Sequence, residues 1–333
     1  MRQTTIVILF LFTHLGAYSA MGETQSNQSS WDLYSDTWVA TDGLGRALPT
    51  HSEVGAPRKD RFVGVFYFLW LGQHSKTGPH DVTKILQAHP EAMQDAGHPA
   101  WGPEHAYHHW GEPLFGNYVS DDAYVIRKHA EMLSDADVDV IFFDVTNNAT
   151  YRNCYMTLCR VFSEVRRDGG RTPQIGFLCP FGNPAKVVQE LYTDLYAPNL
   201  YPDLWFCWEG KPLILADPAH VEDEHRNFFS FRKPMPSYFA GPSGPNQWGW
   251  LEVYPQHVFR NALGEAEQMT VGVAQNAVEG RLGSMSESKG ACGRSYHSGH
   301  KSEDPDAVFW GLNFEEQAKR ALEVDPKFIF ITG

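Results

Sequence analysis

The sequence predicts an α/β protein built as a (β/α)8 barrel of the TIM type. Apolar segments of strand length alternate along the chain with amphipathic helical segments, and this alternation is typical of a parallel sheet. About eight strands can be counted, the number that closes such a barrel. They start at Phe62, Val138, Gln174, Pro212, Phe228, Trp250, Met269 and Lys327. An open doubly wound sheet is the alternative, but no glycine-rich phosphate turn follows the first strand.

The local pattern supports each element in turn. Phe62 to Trp70 is almost continuously apolar, as expected for a strand that is covered on both faces. Tyr124 to Ala136 carries apolar residues at helical spacing, and Tyr151 to Arg167 is helical up to a glycine pair that caps it. Two further helices are predicted at Pro184 to Tyr196 and at Phe314 to Val324.

The chain ends on an apolar, β-branched run, Lys327 to Gly333, which predicts a buried strand. Terminal residues are normally polar and mobile. We therefore expect the natural sequence to continue and the barrel to be incomplete at its C-terminal end. The segment that follows this strand would lie at the face where barrel enzymes carry their catalytic residues.

The N-terminus has the pattern of a secretory signal. Arg2 is followed by the apolar stretch Ile6 to Phe12 and by a small-residue cleavage site ending at Ser19. We expect a signal peptide at 1–19, a partly disordered extension at 20–58, the barrel at 59–333, and a secreted or periplasmic location. An apolar N-terminal anchor is the alternative reading. Five cysteines leave at least one thiol unpaired within the chain.

Charge and composition narrow the partners. Lys and Arg number 27 against 40 Asp and Glu, so the formal charge is 27 − 40 = −13. Nucleic acid and anionic membrane surfaces are therefore poor partners. Aromatic residues make up 14% of the chain, which suits core packing or stacking platforms for sugar rings.

Polar residues at the predicted strand ends are the candidates for chemistry, because function gathers at the carboxyl ends of barrel strands. Asp144 and Glu252 are the candidate catalytic pair, since glycoside cleavage uses two carboxyl groups. The alternative for Asp144, and for Asp217 on another strand end, is that the carboxylate caps the following helix. Substrate-binding candidates at the same ends are Tyr67, Trp70 and Tyr254.

Two loops add further substrate-binding candidates. His108, His109, Trp110 and Glu112 form a dense cluster in which Trp would stack on a sugar ring and the others bond its hydroxyls. A zinc site that includes His105 and a purely structural loop are the alternatives. Arg294 and His297 lie in a long loop that would cover the barrel mouth. We expect neither a metal nor a cofactor.

Four segments, in this order, carry a resemblance to a known family. They are Phe66-Tyr67-Phe68-Leu69-Trp70, Tyr107-His108-His109-Trp110-Gly111-Glu112-Pro113, Val138-Asp139-Val140-Ile141-Phe142-Phe143-Asp144 and Lys211-Pro212-Leu213-Ile214-Leu215. The chain resembles the glycoside hydrolase family 71/99-like proteins, relatives of the family 99 endo-α-mannosidases. The resemblance implies a (β/α)8 barrel, no metal, and retaining endo-cleavage through a sugar-epoxide intermediate. It matches Tyr67, His108, His109 and Trp110 to substrate contacts.

In that family an Asn-Glu-Trp type motif follows the last strand and the catalytic glutamate pair lies on or after it, beyond Gly333 here. Our expectation is a secreted glycoside hydrolase that acts on an α-linked polysaccharide or glycan, as a monomer, and that is inactive in the chain as given. A non-catalytic glycan-binding barrel, or an inactive fragment, is the alternative.

Overall fold

Eight strands lie side by side in chain order and form a barrel. The computed structural model describes residues 41–42, 44–72, 80–103, 106–109, 112–275, 277–278, 281–282 and 293–332. The barrel strands are β1 Phe62–Tyr67, β2 Val140–Asp144, β3 Gln174–Leu178, β4 Lys211–Leu215, β5 Ser230–Met235, β6 Gln247–Gly249, β7 Ala266–Gly272 and β8 Phe328–Thr332. From β7 through β8 and β1 to β6, every neighbouring pair is parallel. The predicted fold class is confirmed.

The barrel closes between β6 and β7 through a side chain. The Gly249 amide donates to the Gln268 Oε1 at 3.0 Å, and the Gln268 Nε2 donates back to the Gly249 carbonyl at 2.9 Å. A short antiparallel strand, Phe259–Arg260, pairs with β7, and its Arg260 carbonyl accepts from Asn246 at 3.0 Å. A glutamine amide thus replaces the backbone ladder, and the open-sheet alternative is wrong.

Five helices pack outside the strands. They are α1 Ala123–Asp135, α2 Arg152–Arg167, α3 Ala185–Leu191, which continues as a π-helical turn Tyr192–Tyr196, α4 Asp223–Phe228 and α5 Leu312–Val324. They follow β1, β2, β3, β4 and β7. The connections after β5 and β6, both described in full, contain no helix. No described helix combines the length and the apolar character needed to cross a membrane.

The remaining elements are short. Two further α-helices are His51–Val54 and Val82–Ala88, and the 3-10 helical turns are Pro90–Gln94, Pro99–Trp101, Pro202–Leu204, Pro218–His220 and Pro305–Phe309. The other two-residue strands are His80–Asp81, His108–His109, Cys207–Trp208, Ala277–Val278, Arg281–Leu282, Tyr296–His297 and His300–Lys301. The expected signal peptide lies outside the described residues. The four cysteines among the described residues carry free thiols, and of these Cys207 is exposed.

The predicted elements match the observed ones closely, with one displaced strand. All eight barrel strands begin within three residues of the predicted starts. The sixth strand was predicted at Trp250 to Tyr254, but β6 is Gln247–Gly249. The predicted position is wrong because the chain leaves the sheet at Trp250, where the buried Glu252 ties the following loop together.

Large aromatic side chains fill the barrel, and glycines make room for them. Phe142, Trp248, Phe328 and Phe330 are fully buried in the interior cluster. A Cβ added to Gly176 on β3 would lie 2.5 Å from the Phe142 ring. Such a contact is not tolerated without moving the ring.

Gly176→Ala is therefore expected to lower the free energy of unfolding by about 1–3 kcal/mol, the usual cost of overpacking a core. Gly182→Ala is the matched control, because nothing lies within 4 Å of a Cβ at that position. Urea titration of both variants measures the difference. Equal unfolding midpoints would mean that the Phe142 ring moves freely.

Candidate functional site

A cavity of about 250 Å³ opens at the carboxyl ends of the strands. Its walls come from the ends of β1, β2, β3 and β8 and from the loops that follow β5 and β6. The lining residues are Phe66, Phe68, Asp144, Thr146, Leu178, Phe181, Tyr238, Trp250, Leu251 and Thr332. We call this space the mouth cavity. It occupies the face where parallel barrels carry their functional groups.

A larger cavity, of about 470 Å³, lies at the opposite, amino-terminal end of the barrel. Its charged side chains are already paired within the protein: Arg171 bonds Asp137 at 2.5 Å, and Arg166 donates to the Thr172 carbonyl at 2.9 Å. The amino-terminal face of a barrel serves stability rather than chemistry. We therefore place the functional site at the mouth cavity.

Trp250 is the centre of an aromatic wall in the mouth cavity. Its ring lies 5.8 Å from Phe66, 5.9 Å from Phe181 and 5.5 Å from Tyr238, measured between ring centroids. Phe66 also packs edge-on against Phe68 at 4.8 Å. A wall of ring faces and edges with few charges is typical of sites that stack on the apolar face of a sugar ring.

The wall extends beyond the cavity along the segment that follows β1. Phe68 packs edge-on against Trp70 at 5.2 Å, and Trp70 against Tyr107 at 5.9 Å. Tyr107 is followed in turn by His108 and His109, whose strand pairs with His80–Asp81. The motif at 66–70 and the histidine motif therefore join in one aromatic row that begins at the mouth cavity.

Asp144 is the carboxylate of the mouth cavity. Its Oδ1 accepts hydrogen bonds from the Thr146 amide at 3.0 Å and from the Thr146 hydroxyl at 2.7 Å. The helix-capping alternative is wrong, because α2 begins only at Arg152 and the residue before it is Tyr151. Thr146 holds one oxygen of the carboxylate, while Oδ2 has no hydrogen-bond partner among the described residues.

Two buried polar atoms of the cavity lack partners. The Trp250 Nε1 and the Thr332 hydroxyl make no hydrogen bond within the described part of the chain. Buried polar groups are nearly always hydrogen-bonded, and an orphan calls for a water or a ligand. Together with Asp144, they offer a donor, a hydroxyl and an acceptor to a molecule in the cavity.

Asp217 and Glu252 have partners of their own elsewhere. Asp217 accepts from the Ala219 amide at 3.0 Å and pairs with Lys233 at 2.7 Å, so its capping alternative is confirmed. Burial disfavours its charged form, but the bonds from Lys233 and Ala219 lower its pKa overall. Neither carboxylate lines the mouth cavity.

Glu252 fixes the loop that carries Trp250. It is 2% exposed, and its two oxygens bond the His257 amide at 2.8 Å and the His257 Nδ1 at 2.9 Å. Burial raises its pKa, although the bonds from His257 act in the opposite direction. This carboxylate, predicted as catalytic, does not line the mouth cavity and instead joins the two ends of the loop through His257. Tyr254, two residues on, is 38% exposed and outside the cavity lining.

Tyr67 points to the helix layer and not into the mouth cavity. Its hydroxyl bonds the His129 Nδ1 of α1 at 2.8 Å, and its ring packs against Phe143. Burial raises the pKa of Tyr67 and lowers that of His129. Side chains alternate across a strand, so Phe66, one residue earlier, takes the inward place.

The histidine motif is only partly described. The His108 Nε2 bonds the Trp101 carbonyl at 2.7 Å, and His109 is buried, which lowers its pKa. Glu112 is exposed, while Trp110 and His105 lie outside the described residues.

Arg294 and His297 lie near the end of β7. The Arg294 carbonyl accepts from Asn313 at 3.2 Å, and the Asn313 side chain donates to Gly272 at 2.8 Å. His297 belongs to the hairpin formed with His300–Lys301. Neither residue lines the mouth cavity.

Phe181, Tyr238 and Thr332 all line the cavity and were not predicted from the sequence. A simple signal was available for two of them. Phe181 stands three residues beyond the end of β3, and Tyr238 three residues beyond the end of β5. An aromatic residue just after a barrel strand is as good a candidate for the functional site as a carboxylate at the same position.

No protein-family profile and no curated protein matches the chain. Among solved structures, this chain is similar to two structures of the GH99 endo-alpha-mannosidase from Bacteroides thetaiotaomicron. The first, in complex with BIS-TRIS-propane, has 16% sequence identity and a TM-score of 0.46, with 82% of this chain and 83% of that chain covered. The second has 15% identity and a TM-score of 0.45, with 82% and 84% covered. No family assignment follows from identities this low.

Proposed function

We propose that this protein binds a glycan in the mouth cavity and hydrolyses a glycosidic bond there. One observation carries the proposal: a single cavity at the carboxyl ends of a barrel combines an aromatic wall with Asp144 and with two orphan polar atoms. A ligand that satisfies both kinds of surface has apolar faces and many hydroxyl groups. Carbohydrate is the class of molecule with that property.

Asp144 is the carboxylate that we assign to the sugar. Glycoside hydrolysis uses a carboxyl group beside the scissile bond, either to move a proton or to stabilise positive charge at the ring carbon. Thr146 fixes the orientation of Asp144 through two bonds to one oxygen. The other oxygen then faces the substrate in one defined position, which is how a scaffold prepares a catalytic group.

The substrate class and the cleavage mechanism that we propose rest on the resemblance of four segments to family 71/99-like proteins. Those motifs favour an α-linked polysaccharide and retaining endo-cleavage. The pattern of Arg2, Ile6 to Phe12 and Ser19 favours export, and we propose a secreted monomer.

A non-catalytic glycan-binding barrel is the second candidate. Hydrolysis needs a pair of carboxyl groups about 5–9.5 Å apart. Among the described residues that line the mouth cavity, Asp144 is the single carboxylate. This second function predicts binding of the same glycans without release of reducing ends.

Asp144→Asn tests the proposal on a panel of α-mannans and other α-linked polysaccharides. We expect turnover to fall by about 10²–10⁴-fold, the usual contribution of a proton-transferring side chain, while glycan binding by calorimetry changes little. Asp168→Asn, at an exposed carboxylate beyond the end of α2, is the control. Wild-type binding without turnover would select the binding function, and no binding at all would reject both.

A further inference from the structure

His89, Glu91 and His98 form a cluster outside the mouth cavity, in the connection between β1 and β2. The His89 Nδ1 lies 3.3 Å from the Glu91 Oε1, and the His98 Nε2 lies 3.4 Å from the same oxygen. The three ligand atoms are all within 4.8 Å of one another. Neither the proposed function nor the histidine motif at 105–109 uses these residues.

The two distances match those between neighbouring ligands of a metal ion, and the His89 contact is also a long hydrogen bond in the metal-free protein. A good N–H···O bond spans about 2.7–3.2 Å, and both contacts are longer. Zinc binds His nitrogen and carboxylate oxygen at about 2.0–2.2 Å, so neighbouring ligand atoms of its tetrahedron are about 3.3–3.5 Å apart. The two contacts to Glu91 already have the length of such an edge.

The backbone between these residues is held by local contacts. Pro90 and Pro99 start the two helical turns that flank the loop. Within it, the Trp101 Nε1 donates to the Asp95 carbonyl at 2.9 Å, and the Asp95 side chain accepts from Gly97 at 2.9 Å. Because the loop is already held in place, its conformational entropy falls less when a metal ion joins His89 to His98, and binding costs less free energy.

We propose that His89, Glu91 and His98 bind one divalent transition-metal ion, with Zn²⁺ as the preferred ion. Two imidazoles and one carboxylate are a common zinc ligand set, and they leave the fourth position to water. Water can reach that position because the side chains of His89 and Glu91 are 50% and 62% exposed.

Binding requires one proton shift, which sets a limit on the affinity. The Ala100 amide donates to the His98 Nδ1 at 3.2 Å, so in the metal-free protein the proton of a neutral His98 sits on Nε2. The metal takes the Nε2 lone pair, the proton moves to Nδ1, and the Ala100 bond is lost.

Titration of metal-free protein with Zn²⁺ at pH 7.5, against a chromophoric competitor, tests the site. We expect one tight equivalent in the wild type. His98→Ala should weaken it by more than about 100-fold, because even loss of an outer-shell partner costs about 10–100-fold. Glu91→Gln provides a second variant with a nearly unchanged shape, and the thermal melts of the metal-free variants verify folding.

His300→Ala is the matched control, because His300 forms another histidine pair with His297, at 5.2 Å between rings. This control should bind Zn²⁺ like the wild type. The proposal is overturned if the wild type takes up no tight equivalent, if His98→Ala and Glu91→Gln both bind normally, or if the tight equivalent disappears in His300→Ala.

Discussion

Replacement of Glu267 by leucine is expected to lower the free energy of unfolding by about 3–5 kcal/mol, because it removes the buried partner of the Arg232 guanidinium and leaves it the exposed Glu209, at 2.8 Å. Glu267 and Arg232 face each other inside the barrel, with side chains 2% and 3% exposed. The Arg232 Nε and Nη2 donate to the two carboxylate oxygens of Glu267, both at 2.7 Å.

Two tryptophans complete the shell of Glu267. The Trp208 Nε1 donates to one oxygen at 3.2 Å and the Trp248 Nε1 to the other at 2.9 Å. Burial disfavours the charged carboxylate, but the bonds from Arg232 and the tryptophans outweigh it and lower its pKa. A lowered folded-state pKa means that the stabilisation is present above the ordinary glutamate value of about 4.3 and is lost as pH falls below it.

Thermal and urea unfolding at pH 7 measure the effect, with two comparisons. Glu265→Gln removes an exposed carboxylate two residues away that pairs with Lys327, and we expect a change below about 1 kcal/mol. The double variant Arg232→Met, Glu267→Leu buries no charge and should recover part of the loss, since the Trp208 and Trp248 Nε1 groups still lose their acceptor. A single variant as stable as the wild type would mean that the bond from Arg232 to Glu209 is enough for the buried guanidinium.

The Glu267 network could not be predicted from the sequence. The segment at the start of β7 reads Glu265-Ala266-Glu267-Gln268, which is mostly polar and suggests a solvent-exposed strand end. Arg232, the partner of Glu267, lies 35 positions away in the sequence. Only barrel closure brings the two charges together. The same closure explains the misplaced sixth strand: Gln247-Trp248-Gly249 has no apolar run, and Gln268 bonds it through a side chain.

Of the predicted candidates that the structure describes, Asp144 lines the mouth cavity and the others do not. Asp144 and Trp70 follow apolar strands, and a strand that ends is visible in a sequence. Whether a strand residue faces the barrel interior or the helices depends on the strand register. The sequence therefore did not show that Phe66, and not Tyr67, faces the cavity. Whether a hydroxyl finds a partner depends on all its neighbours in space, so Thr332 gave no signal.

Thr332→Val is expected to weaken glycan binding by about 1–3 kcal/mol, or roughly 5- to 150-fold, without loss of stability. The Thr332 hydroxyl is buried, lines the mouth cavity and has no partner among the described residues. Valine has nearly the same shape and suits a strand. In the glycan complex, the sugar hydroxyl that Thr332 serves would be left unpaired.

Thr270→Val is the matched control for this experiment. The Thr270 hydroxyl is equally buried and equally orphaned, but it lies on β7 and outside the mouth cavity. In both variants, removal of an unpaired buried hydroxyl should leave the melting temperature unchanged or higher. Glycan affinity, measured by calorimetry, should fall in Thr332→Val alone. If both variants bind like the wild type, the Thr332 hydroxyl makes no contact with the sugar; if both bind more weakly, the loss comes from the barrel rather than from the site.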